Sequence, residues 1–176
     1  MGSLVVVVMV RLHRDIRFVK PAAWGREYWN YMFLVARLFS APCVHKHFCA
    51  LSFFIPCRAC RRHFRRKLRE VPVTNDPFQW VWRYKNDINT KLGKKTIPLK
   101  QAQEEQLGLE NTNVTRDFLS VLIPSIPVPR PLVPARYRST SSYSREYVLR
   151  RWRSLASALS DVIRTSRQQA SRRLGR

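Results

Sequence analysis

The chain has 176 residues, with 33 Lys and Arg against 11 Asp and Glu, a formal net charge of +22. That length holds one domain of ordinary size with extensions. A charge this large draws polyanions such as nucleic acid, an anionic membrane face or a phosphate-bearing cofactor, and it says nothing about fold. The four cysteines, Cys43, Cys49, Cys57 and Cys60, all lie within 18 residues, which excludes a secreted disulfide scaffold and points to a local redox or metal site.

Residues 1–20 read as an N-terminal extension. Leu4–Val10 is an apolar run too short to cross a bilayer, and it precedes its basic residues with no small-residue cleavage site. Residues 21–96 are rich in Trp, Tyr and Phe, and their spacing predicts four helices. Trp24–Phe39 places Trp29, Met32, Phe33 and Ala36 on one face. Lys46–Phe54 is a shorter apolar piece stopped before Pro56. Cys57–Glu70 opens after that proline and carries a basic exposed face. The fourth helix is capped by Asn75 or Asp76, takes Pro77 at its first position and ends near Leu92 at Gly93. Short helices with tight connections predict an all-α, four-helix bundle.

Residues 97–146 begin with polar runs and then hold Pro124, Pro127, Pro129, Pro131 and Pro134. These predict a linker, extended where it is proline-rich. Residues 147–176 predict a basic amphipathic helical tail, with Val148, Trp152, Leu155, Leu159 and Val162 on one stripe. That stripe suits packing on the domain or a partner, and the surrounding arginines suit an anionic membrane face or nucleic acid.

The chemistry centres on Pro56-Cys57-Arg58-Ala59-Cys60-Arg61-Arg62-His63-Phe64. Two residues between cysteines allow a disulfide within one helical turn. A sulfur at a helix start beside arginines is favoured as thiolate, the reactive form. C-x-x-C alone is shared with zinc sites and buried pairs; the flanking Phe53-Phe54-Ile55 and His63-Phe64 make the string more specific.

That string resembles the active-site signature of the Erv/ALR sulfhydryl oxidases. Upstream, Trp24-Gly25-Arg26-Glu27-Tyr28-Trp29 is similar to the family's W-G-x-x-x-W. Downstream, Lys85-Asn86-Asp87-Ile88-Asn89-Thr90-Lys91-Leu92-Gly93-Lys94 is similar to its H-N-x-V-N-x-x-L-G-K. The three occur in the family's order across residues 21–96. The resemblance implies a four-helix bundle with a short fifth helix holding FAD at one end. It implies an FAD-linked thiol oxidase that makes disulfides in protein dithiols and passes electrons to molecular oxygen, giving hydrogen peroxide. Cys57 would exchange with the substrate and Cys60 would lie against the flavin. Trp29 would pack on the cofactor, Asn86 and Asn89 would meet its nucleotide half, and Lys91 and Lys94 would offset the pyrophosphate. Gly25, Arg26, Phe33, His63 and Lys85 complete the implied cofactor-binding set.

Lys85 and Phe33 stand where the family usually carries histidines. A distal cysteine pair is missing, and Trp82 occupies a position that commonly holds a cysteine of the pair stapling the fourth helix. This pattern is most like the compact viral members, which implies host cytoplasm or virion, with the mitochondrial intermembrane space as the alternative. The resemblance also implies a homodimer. A different class of function remains open: Cys43, His45, His47 and Cys49 with Cys57, Cys60 and His63 could stabilise a basic nucleic-acid-binding module around zinc.

Overall fold

A computed structural model of the chain describes residues 21–125 and 145–174, which are helical with no strand among the described residues. A 3₁₀ turn, Pro21–Ala23, leads into α1 (Gly25–Leu38), α2 (Ala41–Leu51), α3 (Arg58–Glu70) and α4 (Pro77–Lys91). These are followed by α5 (Leu99–Leu107), α6 (Asn111–Ser125) and α7 (Arg145–Leu174). The expected all-α bundle is present.

Local chemistry sets the helix ends. Pro42 sits in the first turn of α2, so that helix starts earlier than expected and ends at Leu51, carrying both Cys43 and Cys49. The Cys57 sulfur caps α3 by accepting the backbone N–H of Cys60. Asp76 Oδ1 accepts the Gln79 N–H at 2.8 Å, with Pro77 opening α4. Gly93 takes φ +65°, the left-handed conformation that closes α4, and Lys94 N donates to Asn89 O at 2.8 Å.

α1 is the central helix. Tyr28 and every residue from Tyr31 to Ala36 are buried, so it is covered all round instead of along one stripe. It packs on α2, α4, α5, α6 and α7.

The expectation that residues 97–146 form a linker is corrected for 97–125. Val114, Phe118 and Leu122 recur every four residues on α6 and are buried. Phe118 stacks on Tyr31 with ring centroids 3.8 Å apart and meets Tyr28 edge-on at 5.1 Å. Pro124 falls in the last turn of α6, past the residues that pack. The five-proline stretch otherwise lies outside the described residues, as does the extension 1–20. The segment expected as a tail is a 30-residue helix, α7, built into the same core. Leu155 and Val162 are fully buried, Tyr147 meets Phe53 at 5.3 Å and Trp152 meets Phe54 at 5.9 Å. Asn111 joins three helices, accepting from Arg37 on α1 at 3.1 Å and donating to Gln169 on α7 at 3.2 Å.

A buried polar pair sits beneath this cap. His47 Nε2 lies 2.7 Å from the Tyr31 hydroxyl, and burial lowers the His47 pKa to about 4 while raising that of Tyr31. The neutral ring therefore accepts the phenol proton. Because the unfolded chain binds a proton near pH 6.5 and the fold resists it, stability contributed by neutral His47 is present above about pH 6.5. It is lost as pH falls toward 4. The unfolding free energy from denaturant titration is expected to drop across that window by on the order of 3 kcal/mol, and His47→Gln is expected to flatten the drop. A wild-type stability that stays level from pH 7 to 4 would contradict this role.

Candidate active site

Cys57 and Cys60 form a disulfide across the first turn of α3, with Cα atoms 5.2 Å apart. Pro56 and the bond from Arg61 Nη1 to Ile55 O, 3.0 Å long, hold the entry to the helix. The Cys60 N–H points at Cys57 Sγ at 3.2 Å. Any negative charge on Cys57 therefore meets a backbone donor and the positive end of α3.

Of the two sulfurs, only Cys60 lines a cavity of about 660 Å³ between the start of α1, the first half of α3 and the second half of α4. Trp24, Tyr28, Trp29, Ile55, Phe64 and Tyr84 form its apolar walls, and Arg26, Lys85, Lys91 and Lys94 bring cations to it. None of the described residues lining it is acidic.

His63 stands beside Cys60 in this wall. Its Nε2 lies 3.1 Å from Lys91 Nζ and its Nδ1 3.1 Å from the Tyr84 hydroxyl. The ammonium can only donate, so Nε2 accepts, and the ring proton is assigned to Nδ1, which donates to Tyr84. Desolvation lowers the His63 pKa first, reinforced by Lys91, Arg66 and Lys67 and opposed by Asp87. The imidazole is thus held neutral, stacked on the Tyr84 ring at 5.8 Å. Burial raises the Tyr84 pKa, so its phenol stays protonated.

The cavity gathers most of the residues expected as cofactor-binding: Gly25, Arg26, Trp29, His63, Lys85, Asn89, Lys91 and Lys94. Two fall elsewhere. Phe33 is fully buried and packs on Phe78 at 4.8 Å, with Lys85 Nζ 5.4 Å over its ring. The α1 position expected to face the cofactor faces α4 instead, because α1 is enclosed on all sides. Burial also lowers the Lys85 pKa. Asn86 turns away from the cavity: its amide donates to Ile97 O at 2.9 Å and its carbonyl accepts from Ile97 N at 2.9 Å. Trp82 Nε1 also donates to Ile97 O, at 2.6 Å. Asn86 is therefore the latch of the α4–α5 connection. Asn86→Ala is expected to lower stability by about 1–3 kcal/mol, because Ile97 N loses its acceptor while Ile97 O keeps only Trp82 Nε1. Calorimetry should show a reduced melting temperature, and an unchanged one would contradict the latch.

Sequence reasoning left Tyr84 out of the site. Its signal was the spacing Tyr84, Ile88, Lys91, which puts all three on one face of α4. Trp24 was also left out; its indole N–H is buried at the cavity wall without a hydrogen-bond acceptor.

The zinc alternative finds its donors dispersed. His47 is committed to Tyr31, His63 to Tyr84 and Lys91, and Cys57 to Cys60. Among the described residues no three His, Cys, Asp or Glu side chains gather around one point. The cavity, by contrast, has a volume usual for ligand sites. Aromatic walls suit a flat ring system, the cations suit a diphosphate, and the orphaned Trp24 N–H is a spare donor. The residues present therefore fit a planar, phosphate-bearing group in the cavity that Cys60 lines.

The family model of the Erv1/Alr family matches residues 26–107, which hold α1 through α5 and the disulfide. No curated protein and no solved structure matches the chain.

Proposed function

We propose, from the membership of residues 26–107 in the Erv1/Alr family of sulfhydryl oxidases, that the chain is an FAD-linked thiol oxidase acting on protein dithiols. The observation that carries this reading is the division of labour between the two sulfurs: Cys60 lines the cavity and Cys57 does not. FAD, held by Trp29, Tyr84, Arg26, Lys85, Lys91 and Lys94, would supply a two-electron acceptor that hands the pair to molecular oxygen, yielding hydrogen peroxide.

The geometry supports the following steps for the protein's own sulfurs. A substrate thiolate attacks Cys57 Sγ, a new S–S bond forms, and the Cys57–Cys60 bond breaks with Cys60 leaving as thiolate. The second substrate thiolate attacks the substrate sulfur of that mixed disulfide. The substrate disulfide forms and Cys57 leaves as thiolate, stabilised by the Cys60 N–H and the start of α3. The two electrons taken from the substrate now reside on the Cys57 and Cys60 sulfurs, and Cys60 is the one that can pass them into the cavity. Neutral His63, bonded to Lys91 and Tyr84, orients the wall beside Cys60 without adding a second full charge there.

The test is oxygen consumption by the full chain with a dithiol peptide, with peroxide and peptide disulfide counted. The reading expects a yellow protein that makes one peroxide for each disulfide. A colourless protein that oxidises no dithiol would remove it.

A further inference from the structure

The basic charge on α3 is organised. Arg58, Arg62, Arg65 and Arg69 fall at intervals of four, three and four residues, which places them on one face of the helix. Arg58, Arg62 and Arg69 are exposed and Arg65 is half-buried. The ion pairs of α3 use other positions, Arg66 with Glu70 and Lys67 with Asp87. The stripe starts next to Cys57 and runs about 17 Å along the helix. At its far end Arg65 and Arg69 line a second cleft of about 910 Å³, separate from the one beside Cys60. Arg151 of α7 and His45 join them, and no described residue lining the cleft is acidic.

The cleft discriminates between polyanions. Its aromatic rings are Phe53 and Tyr147, which meet each other edge-on at 5.3 Å. Arg65 lies 5.8 Å over the Phe53 ring and Arg151 5.3 Å over the Tyr147 ring. Ring faces covered by guanidinium groups are poor platforms for nucleobases, whose binding to single-strand sites depends on stacking. Guanidinium forks suit carboxylates. The stripe also begins at a sulfur that a protein thiol must touch, so the chain flanking that thiol is already within reach.

We propose that the α3 arginine stripe and the cleft it enters form a docking track for an acidic segment of the protein substrate, so that the chain selects dithiols lying about five residues from a run of Asp or Glu. The spacing is the 17 Å of the stripe divided by the rise of extended chain, about 3.3 Å per residue. This rests on the thiol-oxidase reading for its substrate.

The experiment uses the full chain and three dithiol peptides with one central sequence and acidic, neutral or basic flanks, with dithiothreitol as a small thiol reference. kcat/KM for the acidic peptide is expected to exceed that for the neutral one by about tenfold in roughly 50 mM salt, and to converge on it as salt rises. In the double variant Arg62→Glu/Arg69→Glu the acidic-to-neutral ratio is expected to fall below one. Equal kcat/KM for the acidic and neutral peptides in the wild type, or a ratio unmoved by the charge reversals, would overturn the proposal. Fluorescence anisotropy with a labelled acidic peptide lacking cysteines reads the track independently of turnover. If neither dithiothreitol nor any peptide is oxidised, the thiol-oxidase reading fails, while the anisotropy still decides whether the arginines bind acidic chain. A single-stranded oligonucleotide that binds more tightly than that peptide, and loses binding in the same variant, would assign the track to nucleic acid and overturn the inference.

Discussion

A chain ending after Ser125 is expected to lose its cooperative unfolding transition. Without α7, the surface that buries Val148, Leu155, Leu159 and Val162 is opened, and these four side chains are at most 5 % exposed. Each contributes about 1.5–3 kcal/mol through burial, roughly 6–12 kcal/mol together. A domain of this size holds only about 5–15 kcal/mol in total. The truncation also uncovers Phe53 and Phe54, which pack on Tyr147 and Trp152 of α7. Leu155→Ala tests the same packing with less damage and is expected to cost about 2–5 kcal/mol. Thermal unfolding followed by circular dichroism reads both. A truncated chain that melts sharply near the wild-type temperature would show that α7 is dispensable.

Replacing either sulfur of the disulfide is expected to reduce dithiol turnover by on the order of a thousandfold or more, since two groups that act as a unit fail together. The two replacements should nevertheless differ in kind. Cys57→Ser leaves a cavity whose Cys60 wall is intact but which a protein thiol does not reach through exchange. Cys60→Ser leaves Cys57 as a free thiol that can attack an activated peptide disulfide, the activating thiolate leaving as the Cys57–peptide bond forms, with no neighbouring sulfur to resolve it or to carry electrons into the cavity. Mass spectrometry should therefore find peptide captured on Cys57 when the Cys60→Ser protein is offered a single-cysteine peptide activated as its thionitrobenzoate disulfide. The Cys57→Ser protein should capture none there. Equal turnover in wild type and Cys57→Ser would mean that another thiol does the exchange; Cys49, whose sulfur lies 3.5 Å from His45 Nε2, would be the first to examine.

The first four helices were legible because their ends are written in residues with strong local preferences: Pro56 and Cys57 before α3, Asp76 and Pro77 at α4, Gly93 after it. Residues 97–125 were misread because the prolines beyond Ser125 dominated the composition. α5 is mostly polar, burying only Ala102 and Gln106, so it carries little periodic signal. α6 does have the period, in Val114, Phe118 and Leu122. Phe118 gains its importance from Tyr31, 87 positions away in sequence, a partner that periodicity cannot reveal. The stripe on α7 was read correctly as amphipathic, but its partner on α2 and α6 could not be read from it.

The site divides the same way. Arg26, Lys91 and Lys94, which the resemblance implies for the cofactor, line the cavity from helix ends. Phe33 and Asn86 were assigned to the cofactor by resemblance. Packing decides otherwise: Phe33 is enclosed by Phe78 and Lys85, and Asn86 spends both ends of its amide on Ile97. Tyr84, which neighbours Phe64, His63 and Trp29 at 5.4–5.8 Å between ring centroids, becomes prominent only once α1, α3 and α4 meet.

Anaerobic titration of the purified chain with a dithiol peptide, followed by the visible absorbance of bound flavin, tests the central electron path most directly. The wild type is expected to bleach with one equivalent of dithiol, and the Cys60→Ser protein to keep its colour. A chain that carries no flavin, or one whose flavin bleaches equally well without Cys60, would contradict the path from Cys57 through Cys60 into the cavity.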